Sequence, residues 1–338
     1  MPHVFDTLTP DCVLDLVEGA IGCTCVGICR PRASYINRVF EVGLTDGSFL
    51  IAKFYRPNRW SPDALQDELD FVAELAAEEL PVVPPIPGRD GALLHRAEAM
   101  SFAIFPRRGG RPLEDVSSDD WRQLGRLLAR LHTVGARHLP RDRVTLGPAT
   151  SLAGNLQFLM TSGLISGQQR EEYCDAVERI IDRIAPLFEG VPSIRIHGDC
   201  HHGNILHRAG EPFHLIDFDD CAVGPPVQDI WMLLPGHPRD SRVELDALAE
   251  GYENFRPFDW EQLRLVEALR AMRYVHYAAW CGRQQLDQGF VQLVPDWGTY
   301  EYWQRESDQL VQQYDEIAAD LETSNCNFGG GDGRKVGG

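Results

Sequence analysis

The chain has 338 residues, enough at ~150 residues per domain for two domains or one domain in two lobes. Its 43% hydrophobic and 24% charged residues are those of a globular protein with a large core. A formal net charge of −18 disfavours nucleic acid and anionic membranes, which are bound through excess Lys and Arg, so an anionic ligand must be met by local cations or a metal. No basic and apolar leader opens the sequence, and no apolar run approaches the ~20 residues that span a bilayer. A cytoplasmic location with no nucleic-acid or membrane partner is therefore expected. The nine cysteines are odd in number and scattered, against a disulfide framework. Cys23, Cys25 and Cys29 cluster but lack the second ligand pair of a zinc site, and reduced thiols are expected.

In chain order, residues 9–20 predict a helix, capped by Thr9 with Pro10 in the first turn and Val13, Leu14 and Val17 on one face. Alternation over 38–44, the turn Asp46-Gly47 and a return over 48–55 predict a hairpin, with Lys53 in the returning strand. A second helix is expected over 62–80, capped by Ser61 with Pro62 first, and Leu65, Leu69, Val72 and Ala76 at helical spacing. Residues 81–88, PVVPPIPG, must be extended, and a short strand follows over 101–105. RRGGRP at 107–112 looks like a hinge, after which the pattern becomes helical: 119–133, 167–188, 226–234, 241–256, 260–284 and 300–322, interrupted by a β-rich patch over 194–220. The expected fold class is α+β in two lobes, a small β-rich lobe over 1–105 and a larger, mostly helical lobe over 106–322. A glycine-rich tail, 323–338, is expected to be disordered. A cleft between two lobes is where a ligand is expected.

The chemistry concentrates in IRIHGDCHHGNIL (194–206) and FHLIDFDD (213–220). Residues 205–208 and 213–218 can pair as a hairpin across Ala209–Pro212, bringing the loop that carries Asp199 and Asn204 toward Asp217. Phosphoryl transfer needs a carboxylate to orient the attacking hydroxyl, oxygen ligands to hold magnesium, and a cation on the phosphates. Asp199 fits the first need, Asn204 and Asp217 the second, and Lys53 the third.

HGDCHHGN is similar to the catalytic loop of the aminoglycoside phosphotransferase/choline kinase group, a branch of the protein-kinase-like fold. The spacing of Asp199 and Asn204 meets the kinase pattern, IDFDD stands where the metal-binding Asp-Phe-Gly segment would be, and LGRLLARLH (124–132) looks like a helix of that group. IAKFYRPNRW (51–60), PPVQDIWMLL (225–234) and EALRAMRYVHYAAW (267–280) resemble the bacterial stress response kinase A family, over residues 5 to 320. The resemblance implies a Mg-ATP-dependent Ser/Thr protein kinase. Its cofactor would be Mg2+, its co-substrate ATP and its partner a protein offering a Ser or Thr hydroxyl, and it would act as a monomer. By the same resemblance Asp199 accepts the proton, Asn204 and Asp217 bind magnesium, and Asp217 has a further catalytic role. Lys53 pairs with a helix carboxylate, for which Glu68 is preferred over Asp67 and Glu74. Ser34, in ASYINRVF (33–40), sits in the loop over the phosphates, with Asn37 as a helper. That loop lacks the kinase glycine motif, and no activation loop ending in Ala-Pro-Glu follows Asp217.

Each residue has a plainer alternative. A lone loop Asp caps a turn, and a lone strand Lys faces water. His197 is expected to pack and hydrogen-bond. His201, His202 and His207 lack the spacing of a metal-hydrolase site. Asp229 is expected to be a structural acid, with Arg270 and Arg273 either holding such acids or facing water. Two other functions fit the residues: a kinase of small alcohols such as aminoglycosides, choline or homoserine, and a nucleotide-binding regulator without turnover.

Overall fold

A computed structural model describes residues 5–287 and 290–328. Within them the chain forms two compact units. The first comprises 5–143, 194–223 and 232–258, and the second the rest of the described residues. Helix α1 (Pro10–Ile21) starts as expected, with Thr9 Oγ1 accepting from the Cys12 amide at 3.3 Å. Strand β1 (Cys25–Arg32) follows, then the hairpin of β2 (Arg38–Leu44) and β3 (Phe49–Phe54), turned at Gly47 with φ 84°. β1 has no counterpart in the sequence pattern. Its register slips between Cys25 and Cys29, and Gly27 takes φ 74°, so a bulge breaks the alternation that marks a strand.

Helix α2 (Pro62–Ala77) is capped by Ser61, whose Oγ accepts from the Ala64 amide at 3.0 Å. It stops short of residue 80 because Glu79 adopts φ 58° and the Leu80 amide turns back to the Leu75 carbonyl at 3.0 Å. Short β4 (His95–Ala97) and β5 (Met100–Pro106) complete an antiparallel sheet of order β1-β2-β3-β5-β4. One face of that sheet packs Phe40, Val42, Leu50, Ala52, Phe54, Phe102 and Ile104 with Val13 and Val17 of α1. At the β3–β5 region Ala103 and Tyr55 pack with Leu65 and Leu69 of α2.

The expected hinge ends in a strand, β6 (Arg111–Pro112). Helix α3 (Ser118–Gly135) begins with a reciprocal cap between Ser117 and Asp120. In the second unit, α4 (Ala153–Thr161) and α5 (Gly167–Ile184) follow. The chain then returns to the first unit with β7 (Ile194–Ile196), β8 (Ile205–His207), β9 (His214–Leu215) and β10 (Ala222–Gly224). β6, β8 and β9 form one antiparallel sheet, and β7 pairs with β10. After α6 (Val227–Trp231), helix α7 (Arg242–Tyr252) packs on α3 with backbones touching, since a Cβ on Gly125 would collide with the Leu248 carbonyl and one on Gly251 with the Arg122 carbonyl. The second unit is helical. α8 (Val266–Gln284), short α9 (Phe290–Leu293) and α10 (Tyr300–Phe328) follow, with α10 packed on α5 and α8. There Arg270 pairs with Glu267 at 3.3 Å and lies over Trp231, and Asp229 is fully buried. α10 extends to Phe328, into the segment expected as a tail, and the rest of that tail lies outside the described residues.

Candidate active site

Directly opposed residues of an antiparallel pair share a face. The register sets Val39, Lys53 and Ala103 side by side, so Lys53 points to the side of the sheet that α2 covers. There Lys53 Nζ lies 3.2 Å from Glu68 Oε1, 3.4 Å from Asp217 Oδ1 and 3.3 Å from Asp219 Oδ1. The rivals to Glu68 are engaged elsewhere: Asp67 accepts from Arg141, and Glu74 from Arg195 and His138. Tyr55 adds its hydroxyl, donating to Glu68 Oε1 at 3.1 Å. Burial opposes a charged ammonium at Lys53, but the Glu68 and Asp217 carboxylates more than offset it, and the pKa is raised. Lys53 therefore carries its proton at neutral pH. Burial and then Glu68 hold the Tyr55 phenol protonated.

The loop before β8 is tied to the strand end after β9. Ile205 pairs with Leu215, the Ile216 amide donates to the Asn204 carbonyl at 3.0 Å, and the His197 ring donates from Nε2 to the Ile216 carbonyl at 2.9 Å. His197 is fully buried and its ring centre lies 4.5 Å from that of Phe218, the packing role expected of it. Asn204 Nδ2 donates to the Asp199 carbonyl at 2.9 Å and approaches Asp199 Oδ2 at 3.4 Å. This fixes the amide with Oδ1 turned away from Asp199. Asp217 has φ 61° and ψ 66°, a left-handed conformation that Asp tolerates better than most residues, and its side chain is 55% exposed.

A glycine is required at 198. It has φ 83°, and a Cβ there would collide with the Asp220 carbonyl oxygen. Gly198→Ala is expected to cost about 2 kcal/mol or more of stability, read as a lowered denaturation midpoint.

Other expected residues are placed as follows. Ser34 lies half-buried between β1 and β2. Asn37 is buried, with Oδ1 accepting from the Arg56 amide at 3.1 Å, so that oxygen holds the strand end. The three loop histidines diverge. His201 Nε2 is 3.4 Å from Asp199 Oδ2, His202 donates to the Leu233 carbonyl at 2.9 Å, and the His207 ring packs on Phe213.

Besides Tyr55, sequence reasoning missed the acids and arginines that complete the cluster. Asp219 is buried and faces both Lys53 and Arg59, and Arg59 also holds Asp220 at 2.6 Å. Arg143, with a side chain 1% exposed, donates to Glu68 Oε2 at 3.1 Å and to the Asp219 carbonyl at 2.8 Å. The repeated aspartates of IDFDD and Arg59, the second arginine of YRPNRW, were available signals. Arg143 carries none.

The Lys53 ammonium is thus held by the Glu68 carboxylate with Asp217 and Asp219 around it, and comparison with known proteins shows the family to which the chain belongs. The phosphotransferase enzyme family matches residues 28–266. Stress response kinase A of Escherichia coli strain K12 is 37% identical over 316 residues, covering 91% of this chain and 93% of that protein. Serine/threonine protein kinase RdoA of Salmonella typhimurium strain LT2 is likewise 37% identical over 316 residues, with the same coverage. Among solved structures, amicoumacin kinase hAmiN in complex with AMP-PNP, Ca2+ and Ami superposes with a TM-score of 0.70 at 18% identity, covering 93% of both chains. A microcompartment-associated aminopropanol kinase gives 0.66 at 18%, covering 93% of this chain and 98% of that one. The chain belongs to the stress response kinase A family, within the phosphotransferase enzyme family. It is a kinase-class enzyme with the α+β, protein-kinase-like fold expected from its sequence. Among the described residues no helix is long and apolar enough to cross a membrane.

Proposed function

We propose that the protein is a Mg-ATP-dependent Ser/Thr protein kinase of a bacterial stress response, moving the γ-phosphoryl group of ATP to a protein hydroxyl. The observation that carries this reading is the convergence of Glu68, Asp217 and Asp219 on Lys53 Nζ, with Asn204 bonded to Asp199 in the adjoining loop. The protein acceptor is favoured by the 37% identity to a relative named as a serine/threonine protein kinase.

The donor set fits a hard divalent cation. Asn204 Oδ1 points away from its amide contacts with Asp199, and Asp217 is half exposed with one oxygen near Lys53. Hard oxygen ligands of this kind suit Mg2+. Bound there by Asn204 and Asp217, the ion would offset charge on the phosphates. Lys53, held protonated beside Asp217, would meet the phosphates, while Glu68 fixes its direction. Asp199 accepts the proton of the attacking hydroxyl and orients it for in-line transfer. Ser34 closes the loop over the phosphates, and the segment 102–106 offers backbone groups to the base. In this reading residues 1–105 bind nucleotide, residues 106–322 take the acceptor, and the enzyme works as a cytoplasmic monomer.

The test is transfer from radiolabelled ATP with Mg2+ to protein acceptors, run beside a panel of aminoglycosides, choline and homoserine. Phosphorylation of Ser or Thr in protein is expected. Turnover confined to small alcohols would replace the protein reading, and nucleotide binding without turnover on any acceptor would leave only a regulator.

A further inference from the structure

The chain is strongly acidic, yet one part of the first unit is cationic. The segment after β5 and the β8–β9 turn enclose a groove of about 560 Å³, lined by Arg107, Gly109, Gly110, Arg111, His207, Arg208 and Ala209, with no carboxylate among them. Its walls are fixed by the fold. Arg111 pairs across β6 and β8 with His207, so the two side chains share a face. Gly110 lets the backbones close up, since a Cβ there would stand 3.0 Å from Leu206 Cβ.

The cationic surface continues past the groove. Arg30 and Arg32 approach Glu41 at 3.9 Å, and Arg107 holds the same carboxylate at 2.7 Å. Arg108 and Arg208 share Glu211. Two carboxylates thus serve five guanidinium groups, and Arg111, which is exposed, makes no ion pair among the described residues. Net positive charge is left over. β8 joins the groove to the proposed site: it begins at Ile205, directly after Asn204, and ends at His207 in the groove wall, and the Leu113 amide at the end of β6 donates to the Ile205 carbonyl at 3.1 Å.

From this juxtaposition we infer that the groove docks acidic residues flanking the acceptor hydroxyl, making acidic protein segments the preferred substrates. The inference rests on the protein-kinase reading above. An open, arginine-lined groove suits a chain of carboxylates, which guanidinium groups hold in paired hydrogen bonds, and it repels the cationic small alcohols that an acidic pocket would favour. The surrounding negative surface rejects acidic proteins elsewhere, so contact is directed to this face.

The full chain is assayed with Mg-ATP on dephosphorylated β-casein, an acidic probe, and on histone H1, a basic one. Casein is the expected better substrate. The double variant Arg111→Glu/Arg208→Glu is expected to raise the casein KM about tenfold, with kcat and the ATP KM kept, and to narrow the preference over histone. Arg111→Gln/Arg208→Gln, which adds no new charge, is expected to move the casein KM the same way by less. An unchanged casein KM in both variants overturns the groove, as does a rise in the ATP KM alone. Anisotropy of a fluorescein-labelled Glu-rich peptide without nucleotide separates this inference from the kinase reading. Peptide binding weakened by the double variant supports the groove even where no protein is phosphorylated. Transfer to casein with peptide binding untouched by the variant overturns the groove alone.

Discussion

Asp199→Asn is expected to lower kcat for phosphoryl transfer by about 10²- to 10⁴-fold while nucleotide affinity stays near that of the native chain. The substitution keeps size and polarity but removes the carboxylate proposed to take the hydroxyl proton. Asp199 contacts the Asn204 amide through its backbone carbonyl at 2.9 Å and its Oδ2 at 3.4 Å. The stronger contact survives in the variant, so Asn204 keeps its place. A loss in kcat without a loss of binding is the signature of an interaction made in the transition state. Single-turnover transfer and nucleotide titration on the same preparation check it.

The second large effect falls on stability. Arg143→Met is expected to destabilise the fold by about 3 kcal/mol, read by chemical denaturation. The guanidinium is almost wholly buried and joins Glu68 on α2 to the Asp219 carbonyl. Removing it leaves the buried Glu68 carboxylate, among the described residues, with Lys53 and Tyr55 and the Asp219 carbonyl without that donor. Arg143→Lys is expected to recover only part of the loss, because one ammonium cannot repeat the forked geometry of the guanidinium. Activity is expected to fall as well, since Arg143 bonds the Glu68 carboxylate that pairs with Lys53. Arg143 is in this sense a positioning residue.

What could be read from the sequence was what depends on short-range pattern. α1 and α2 declare their starts through Thr9-Pro10 and Ser61-Pro62, and the β2–β3 hairpin through Asp46-Gly47. The loop of Asp199 and Asn204 and the hairpin after it are contiguous, so spacing alone brought them near Asp217. Of the three acids on α2, the structure sets Glu68, the one the sequence favours, against Lys53, while Asp67 and Glu74 pair with Arg141 and Arg195. What was not legible depends on contacts distant in sequence or on local breaks in pattern. Arg59 meets Asp219 across 160 residues, and Arg143 meets Glu68 across 75, with no periodicity to announce either. β1 hid behind its bulge at Gly27, and β6 is a two-residue strand in a stretch that reads as a hinge. α2 ends at a left-handed Glu79 where helical spacing would carry it on.

The central claim is that Asn204 and Asp217 hold a divalent cation against a nucleotide that Lys53 faces. It is tested most directly by calorimetric binding of a non-hydrolysable ATP analogue, with and without Mg2+, to the native chain, Asn204→Ala and Asp217→Ala. The account predicts that Mg2+ strengthens binding by about tenfold or more to the native chain and has little effect on either variant. Equal affinity with and without Mg2+ in the native chain, or an undiminished Mg2+ effect in both variants, would contradict it.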